Sequence, residues 1–228
     1  MSTLPEKGLQ IRTLIKPEGE LELSLAEVEI PTPGPTDIII KVEATPINPS
    51  DLGLLVGAGD ISTAVQSGTA ERPVITAKVP EAGMRAMKAR IGQSLPVGNE
   101  GAGTVVAAGE SEAAQALLGK RVTGLGGEFY AEYRMLNVGQ VMELPDGITA
   151  EQGASCYVNP LTALSFVETM RNMGHESLVH TAAASNLGQM LNKICLKDGV
   201  PLVNIVRKEE QAEILRGIGA KHIVNSTS

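Results

Sequence analysis

The stretch Leu178–Gly188, LVHTAAASNLG, decides the fold. An apolar pair, Leu178-Val179, leads into small residues from Thr181 to Ser185. A helical pattern follows, in which Leu187, Met190, Leu191 and Ile194 recur at i, i+3, i+4 and i+7. Gly199 stands where a left-handed helix cap belongs, and Leu202–Val206 is a second apolar run. Strand, small-residue turn, helix, strand is a βαβ unit. Its opening turn presents backbone N–H groups at a helix N-terminus, where an anion such as a pyrophosphate binds. The expected phosphate contacts are Ala183, Ala184, Ser185, Asn186, Leu187 and Gly188. The match to G-x-G-x-x-G is partial, because Ala183, Ser185 and Gly188 occupy the glycine positions and many such turns bind nothing. Asn186 belongs to a residue type that visits left-handed backbone, which would suit a tight turn.

Beyond that unit, Glu209–Ile218 is predicted as a helix closed by Gly219, and Ile223–Asn225 as a strand. An NAD site places an acid at the end of its second strand, to hold the ribose 2′-hydroxyl. Here Val206 is followed by Arg207 and Lys208. Two cations at that point suit a 2′-phosphate, so the expected cofactor is NADPH rather than NADH. The alternative is that both are solvated helix-start residues and that Glu209 or Glu210 turns back to the ribose.

Composition narrows the function classes. The 228 residues are 43% hydrophobic and 20% charged, as in a globular protein. Aromatics make up 2% and the formal net charge is −7, which argues against a nucleic-acid partner. Two cysteines, Cys156 and Cys195, exclude a disulfide framework or a cysteine zinc cluster. No apolar run is long enough to span a membrane, and MSTLPEKGLQ lacks signal- or transit-peptide character. The expectation is a cytoplasmic protein with a small-molecule substrate.

Before residue 145 the pattern is β-rich. Leu21, Leu23 and Leu25 alternate with polar or small residues, and Asp37–Ala44 places Ile38, Ile40 and Val42 on one face. Ser50 or Asp51 is expected to cap a short helix. Residues 57–95 form an insert with a strand expected at Pro73–Ala77 and a helix over Pro80–Ile91, ended by Gly92. This insert is locally basic, as a solvated amphipathic helix would be. Strands are expected at Thr104–Ala107, Arg121–Thr123, Glu128–Tyr133 and Val141–Leu144, with a helix at Ser111–Leu118. Thr149 and Gln152 fit a capping box opening a helix to about Tyr157. Asn159-Pro160 is expected to interrupt it before a helix over Leu161–Asn172. The domains are therefore expected at 1–157 and 158–228.

Several patches together resemble the medium-chain dehydrogenase/reductase superfamily. They are Pro33-Gly34-Pro35, Ile47-Asn48-Pro49-Ser50-Asp51, Gly98-Asn99-Glu100-Gly101, Val158-Asn159-Pro160-Leu161-Thr162-Ala163 and the βαβ unit, in the family's order. The strings are most similar to the zinc-independent branch of quinone oxidoreductases and 2-enoyl thioester reductases. The resemblance implies an α/β plus β fold: a GroES-like β-barrel domain followed by a Rossmann domain. It implies NAD(P)H-dependent oxidoreductase activity and a homodimer for the full-length protein. It also brings Asn48 and Thr162 to the reacting groups as positioning residues, and Asn159 to the cofactor. The bland alternative is that Asn48 and Asn159, each before a proline, make turn contacts only.

In zinc-dependent relatives the positions of Asn48, Asn99 and the Val158-Asn159 region hold Cys, His and Cys. A neutral amide is a poor replacement for those donors, so no zinc is expected. Two departures from the family stand out. Enoyl thioester reductases of this branch carry a proton-donating tyrosine shortly after the INPSD string, whereas Val56-Gly57-Ala58-Gly59-Asp60 has none. The strand pattern also ends after the first βαβαβ half, so a C-terminally truncated chain is expected, inactive by itself, with the Leu178-Val179 strand as an open edge. Two functions stay in view. One is an NADPH-dependent reductase of an activated C=C or C=O compound; the other is a non-catalytic nucleotide-binding fragment of such an enzyme. Histidines 175 and 180 and both cysteines are expected to be structural.

Overall fold

The computed structural model describes residues 4–227. Its elements, in order, are β1 (Lys7–Lys16), β2 (Glu20–Glu29), β3 (Asp37–Ala44), α1 (Pro49–Leu55), β4 (Asp60–Gly68), β5 (Pro73–Lys78), α2 (Glu81–Ala86), β6 (Ser94–Pro96), β7 (Glu100–Ala108), α3 (Glu112–Ala116), β8 (Arg121–Leu125), β9 (Tyr133–Asn137), β10 (Val141–Glu143) and α4 (Ala150–Gly153). They continue with α5 (Val158–Asn172), β11 (Leu178–His180), α6 (Asn186–Asp198), β12 (Leu202–Val206), α7 (Glu209–Gly217) and β13 (His222–Asn225). Two compact units divide between Ser155 and Cys156.

The first unit is a GroES-like β-barrel. Its antiparallel sheets run β4-β5-β2-β1-β6 and β10-β8-β7-β3-β9, with a bridge from Gln10 to Ala131 between them. In β3, Ile38, Ile39 and Ile40 are all fully buried, so this strand is covered on both faces rather than alternating as its sequence suggests. The main core gathers Ile38, Ile40, Val105, Val122, Phe129 and Leu136. Opposite Gly101 of β7 stands Gly124 of β8. A β-carbon on Gly101 would lie 2.5 Å from Phe129 Cδ1, and one on Gly124 would lie 3.0 Å from Phe129 Cζ. The facing glycines thus open the slot that the Phe129 ring fills.

The second unit is the first part of a Rossmann fold, a parallel sheet in the order β11-β12-β13. Helices α5 and α6 pack Ala163, Val167, Leu191 and Cys195 against Leu202. On α7, Ala212 and Leu215 pack with Val206 and Ala183. Each buried leucine contributes roughly 1.5–3 kcal/mol. Helix α6 ends at Gly199, whose φ of 70° is the left-handed cap the sequence predicts. Between α6 and β12, Asn192 Nδ2 donates to Asn204 Oδ1 at 2.7 Å and Asn204 Nδ2 returns to Asn192 Oδ1 at 3.0 Å. The same two amides donate to the carbonyls of Gly188 and His222.

Several expectations are corrected. The cap of α1 is Asn48, with Pro49 in its first turn and Asp51 one turn in, rather than Ser50 or Asp51. The helix expected over Pro80–Ile91 is α2 plus a 3₁₀ turn at Lys88–Arg90, because Met87 leaves helical geometry. Strand β4 within the insert was not expected; nearly all of it is exposed, and it pairs only with β5. Residues 128–132 are loop, and the strand begins at Tyr133. The Thr149–Gln152 capping box is present, but its helix ends at Gly153. Asn159 and Pro160 do not interrupt a helix; they lie in the first turn of α5, where a missing N–H costs nothing. Cys156 lies between helices rather than within one. Asn186 is the first helical residue of α6 and does not take left-handed backbone; among the described non-glycine residues only Glu128 has positive φ. No helix among the described residues is long and apolar enough to cross a membrane.

Candidate functional site

The candidate residues fall into one group in each unit. In the first, three loops meet at Asn48, Asp51 and Glu100. Asn48 caps α1 because an asparagine before a proline favours extended backbone, and here its ψ is 155°. Asp51 is fully buried. Its Oδ2 accepts the Asn48 N–H at 2.9 Å, and its Oδ1 accepts the Asn99 N–H at 3.0 Å. One carboxylate therefore ties the 45–51 loop to the 97–101 turn. Asn99 Nδ2 adds a bond to Ser50 Oγ at 2.8 Å, and Thr45 Oγ1 donates to the Glu100 carbonyl at 2.8 Å. The third loop joins through Tyr130, whose hydroxyl donates to the Pro46 carbonyl at 3.0 Å.

Asp51→Asn tests this tie. The substitution keeps the shape but turns an NH₂ donor toward one of two backbone N–H groups. It is expected to cost about 1–3 kcal/mol, read as a lower urea midpoint with an unchanged slope. An unchanged midpoint would show that the carboxylate is not what joins the loops.

Asn48 itself is 5% exposed, and its Nδ2 donates to Glu100 Oε1 at 3.0 Å. Glu100 is fully buried. The sequence alone does not reveal either acid: Asp51 reads as a helix cap, and Glu100 only as part of the Gly98–Gly101 string. The available signal was a charged residue set between glycines, Gly98-Asn99-Glu100-Gly101. Burial, then the charge of Asp51, raises the Tyr130 phenol well above its usual range. Tyr130 also lines a mainly apolar cavity of about 600 Å³ with Leu9, Ile11, Val42, Ile47 and Leu55.

In the second unit the group forms where β11 and β12 end side by side. The parallel pairing sets His180 against Asn204, so the turn after β11 and the residues after Val206 lie at the same end of the sheet. Ser185 caps α6, its Oγ accepting the Gly188 N–H at 3.1 Å. Gly188 is required sterically, since a β-carbon there would lie 2.3 Å from the Ala183 carbonyl oxygen. Ala183 is buried, Ala184 and Leu187 are half-buried, and Ser185 and Asn186 are exposed. Arg207 and Lys208 are exposed, while Gln211 Oε1 accepts both of their backbone N–H groups at 3.0 and 3.2 Å. Glu209 forms an exposed ion pair with Arg216 at 2.7 Å.

Asn159 and Thr162 lie on the first turns of α5. The Thr162 hydroxyl donates to the Val158 carbonyl at 2.6 Å, so its proton is spent within the helix. His180 sits at the end of β11 against Phe166, with ring centroids 6.0 Å apart, and burial lowers its pKa. Among the described residues no group of three or more His, Cys, Asp or Glu could hold a metal ion.

Comparison with known proteins gives consistent relatives, although no family model matches. The mitochondrial enoyl-[acyl-carrier-protein] reductase of Xenopus tropicalis is 27% identical over 213 residues, which is 89% of this chain and 51% of that protein. A quinone oxidoreductase of Pseudomonas aeruginosa is 34% identical over 127 residues, 54% of this chain and 39% of that protein. Among solved structures, a Mesorhizobium loti protein assigned as an NADPH:quinone reductase superposes with a TM-score of 0.70 at 27% identity. It covers 99% of this chain and 62% of its own. The chain spans about half the length of the curated enoyl reductases it matches.

Proposed function

Taking as premise that this chain resembles the quinone and enoyl reductases of the medium-chain dehydrogenase/reductase superfamily, we propose that it is part of an NADPH-dependent oxidoreductase that needs no zinc and reduces an activated C=C or C=O bond. The observation that carries this reading is the turn into α6, closed by Gly188 on the Ala183 carbonyl, with Arg207 and Lys208 at the same end of the sheet. In this reading the backbone N–H groups of Asn186 and Leu187 face the cofactor pyrophosphate, and small Ala183, Ala184 and Ser185 let it approach. Arg207 and Lys208 take the 2′-phosphate. Asn159 orients the cofactor, while Asn48 and Thr162 position the reacting groups, Thr162 through its oxygen because its proton is engaged. NADPH, when bound, supplies the hydride. In this reading the protein is cytoplasmic, acts on a small molecule rather than on nucleic acid or a membrane, and pairs as a homodimer.

Quinones and other carbonyl acceptors suit the site better than enoyl thioesters. A carbon–carbon double bond needs a proton delivered to carbon. Tyr130 is a poor donor, because burial and the Asp51 charge oppose its ionisation. The second reading, nucleotide binding without turnover, is favoured by the absence of a tyrosine from 56–60. Titration with NADPH, followed by a quinone and then a crotonyl thioester, separates the readings. Measured on the longer enzyme of which this chain is proposed to be part, binding with quinone turnover supports the first, binding alone supports the second, and no binding removes both. The zinc reading has its own check. Elemental analysis is expected to find no stoichiometric zinc, and zinc retained through mild chelation would overturn it.

A further inference from the structure

We propose that Glu100 is a positioning residue for Asn48, fixing which way its side-chain amide faces. The inference rests on the role proposed above for Asn48 and extends it to a residue that touches neither cofactor nor substrate. Glu100 opens β7 and is fully buried, 52 residues along the chain from its partner. Its Oε1 accepts from Asn48 Nδ2 at 3.0 Å. An amide can turn over about its last bond and exchange oxygen for nitrogen with little change of shape. Against Glu100, the turned amide would set oxygen against a carboxylate oxygen, so only one orientation is accepted.

The rest of the loop is held just as firmly. Asp51 holds the Asn48 backbone N–H, and the Thr45 hydroxyl holds the Glu100 carbonyl, so neither partner can drift to relieve a mismatch. Asn48 is thus fixed through its main chain by one buried acid and through its side chain by another. A group that must meet a bound ring at one angle gains from such support.

The test uses amide exchange on this chain and kinetics on the longer enzyme of which the chain is proposed to be part. In ¹⁵N spectra of the wild type, the Asn48 Nδ2 protons are expected to be resolved and slow to exchange. Exchange as fast as that of exposed asparagines would overturn the proposal without any variant. Glu100→Gln can present an oxygen or, turned over, an NH₂, so it should admit both orientations of Asn48 and weaken the signature, whereas Glu100→Met should lose it. Turnover of a quinone with NADPH should fall roughly 10- to 100-fold in Glu100→Met, as when other groups that orient a site residue are removed, with Glu100→Gln in between because it keeps the bond but not the single orientation. The KM for NADPH should stay within about twofold, since the loss lies in the reacting geometry. A freed Asn48 amide with unchanged kcat would overturn the catalytic half of the proposal. If the longer enzyme reduces neither quinone nor thioester, the functional reading above fails, and amide exchange alone decides whether Glu100 holds Asn48. If Glu100→Met does not fold, the wild type and Glu100→Gln carry the test.

Discussion

Phe129→Ala is expected to cost about 3–5 kcal/mol, the range for removing a fully buried aromatic ring. The reason to expect the upper part of that range is the pair of facing glycines, Gly101 and Gly124. Cavities become less costly when neighbouring side chains relax into them. Here the residues facing the ring on two paired strands are glycines, which have no side chain to extend. Ile38, Val105, Val122 and Leu136 in the same core can shift only slightly without leaving their strands. A loss of this size would lower the melting temperature of a domain of this length by roughly 6–20 °C. Urea titration of wild type and variant reads it directly, and a loss below about 1 kcal/mol would show that the slot collapses after all.

Arg207→Glu is expected to reverse the nucleotide preference. Arg207 follows the end of β12, and its main chain is fixed, with its N–H on Gln211 and its carbonyl accepting from Thr227 Oγ1 at 2.9 Å. Its side chain is exposed at the end of the sheet where the phosphate turn lies. A charge-assisted bond to a 2′-phosphate contributes about 1.5–3 kcal/mol, which corresponds to a preference of roughly 10- to 150-fold. The glutamate variant should lose that much NADPH affinity and bind NADH as well as the wild type or better, because an acid there suits a free ribose hydroxyl. Isothermal titration with both nucleotides decides the matter; equal wild-type affinities for NADH and NADPH would show that Arg207 does not read the phosphate.

Local periodicity accounts for what could be read without coordinates. Leu187, Met190, Leu191 and Ile194 mark α6 because a helix repeats within a few residues, and Gly199 marks its end by chirality alone. The fold class followed from that unit and the ordered strings. What escaped depends on partners far along the chain. β7 starts at Glu100 although Glu-Gly-Ala-Gly has little strand propensity, because pairing with β8 around Phe129 outweighs it. Residues 128–132 look like a strand, yet Phe129 and Tyr130 give their N–H groups to Gly98 and Val97 in a loop. β4 has no buried face to imprint an alternation. The burial of Asp51 and Glu100 has no local signature either, since their partners at Asn99 and Asn48 lie 48 and 52 residues away.

The reciprocal asparagines at 192 and 204 behave as a checksum on the nucleotide-facing unit. Turning one amide alone sets nitrogen against nitrogen and oxygen against oxygen. Turning both repairs that mismatch but faces two oxygens toward the carbonyls of Gly188 and His222. Only one combination satisfies all four bonds, and it exists only when α6, β12 and β13 are in their proper axial register. A slip of α6 by one residue would carry Asn192 away and strand a buried amide, an error that apolar packing by itself would tolerate. The aim of the α6 N-terminus is therefore verified deep inside the sheet, about two turns from where the phosphate would sit.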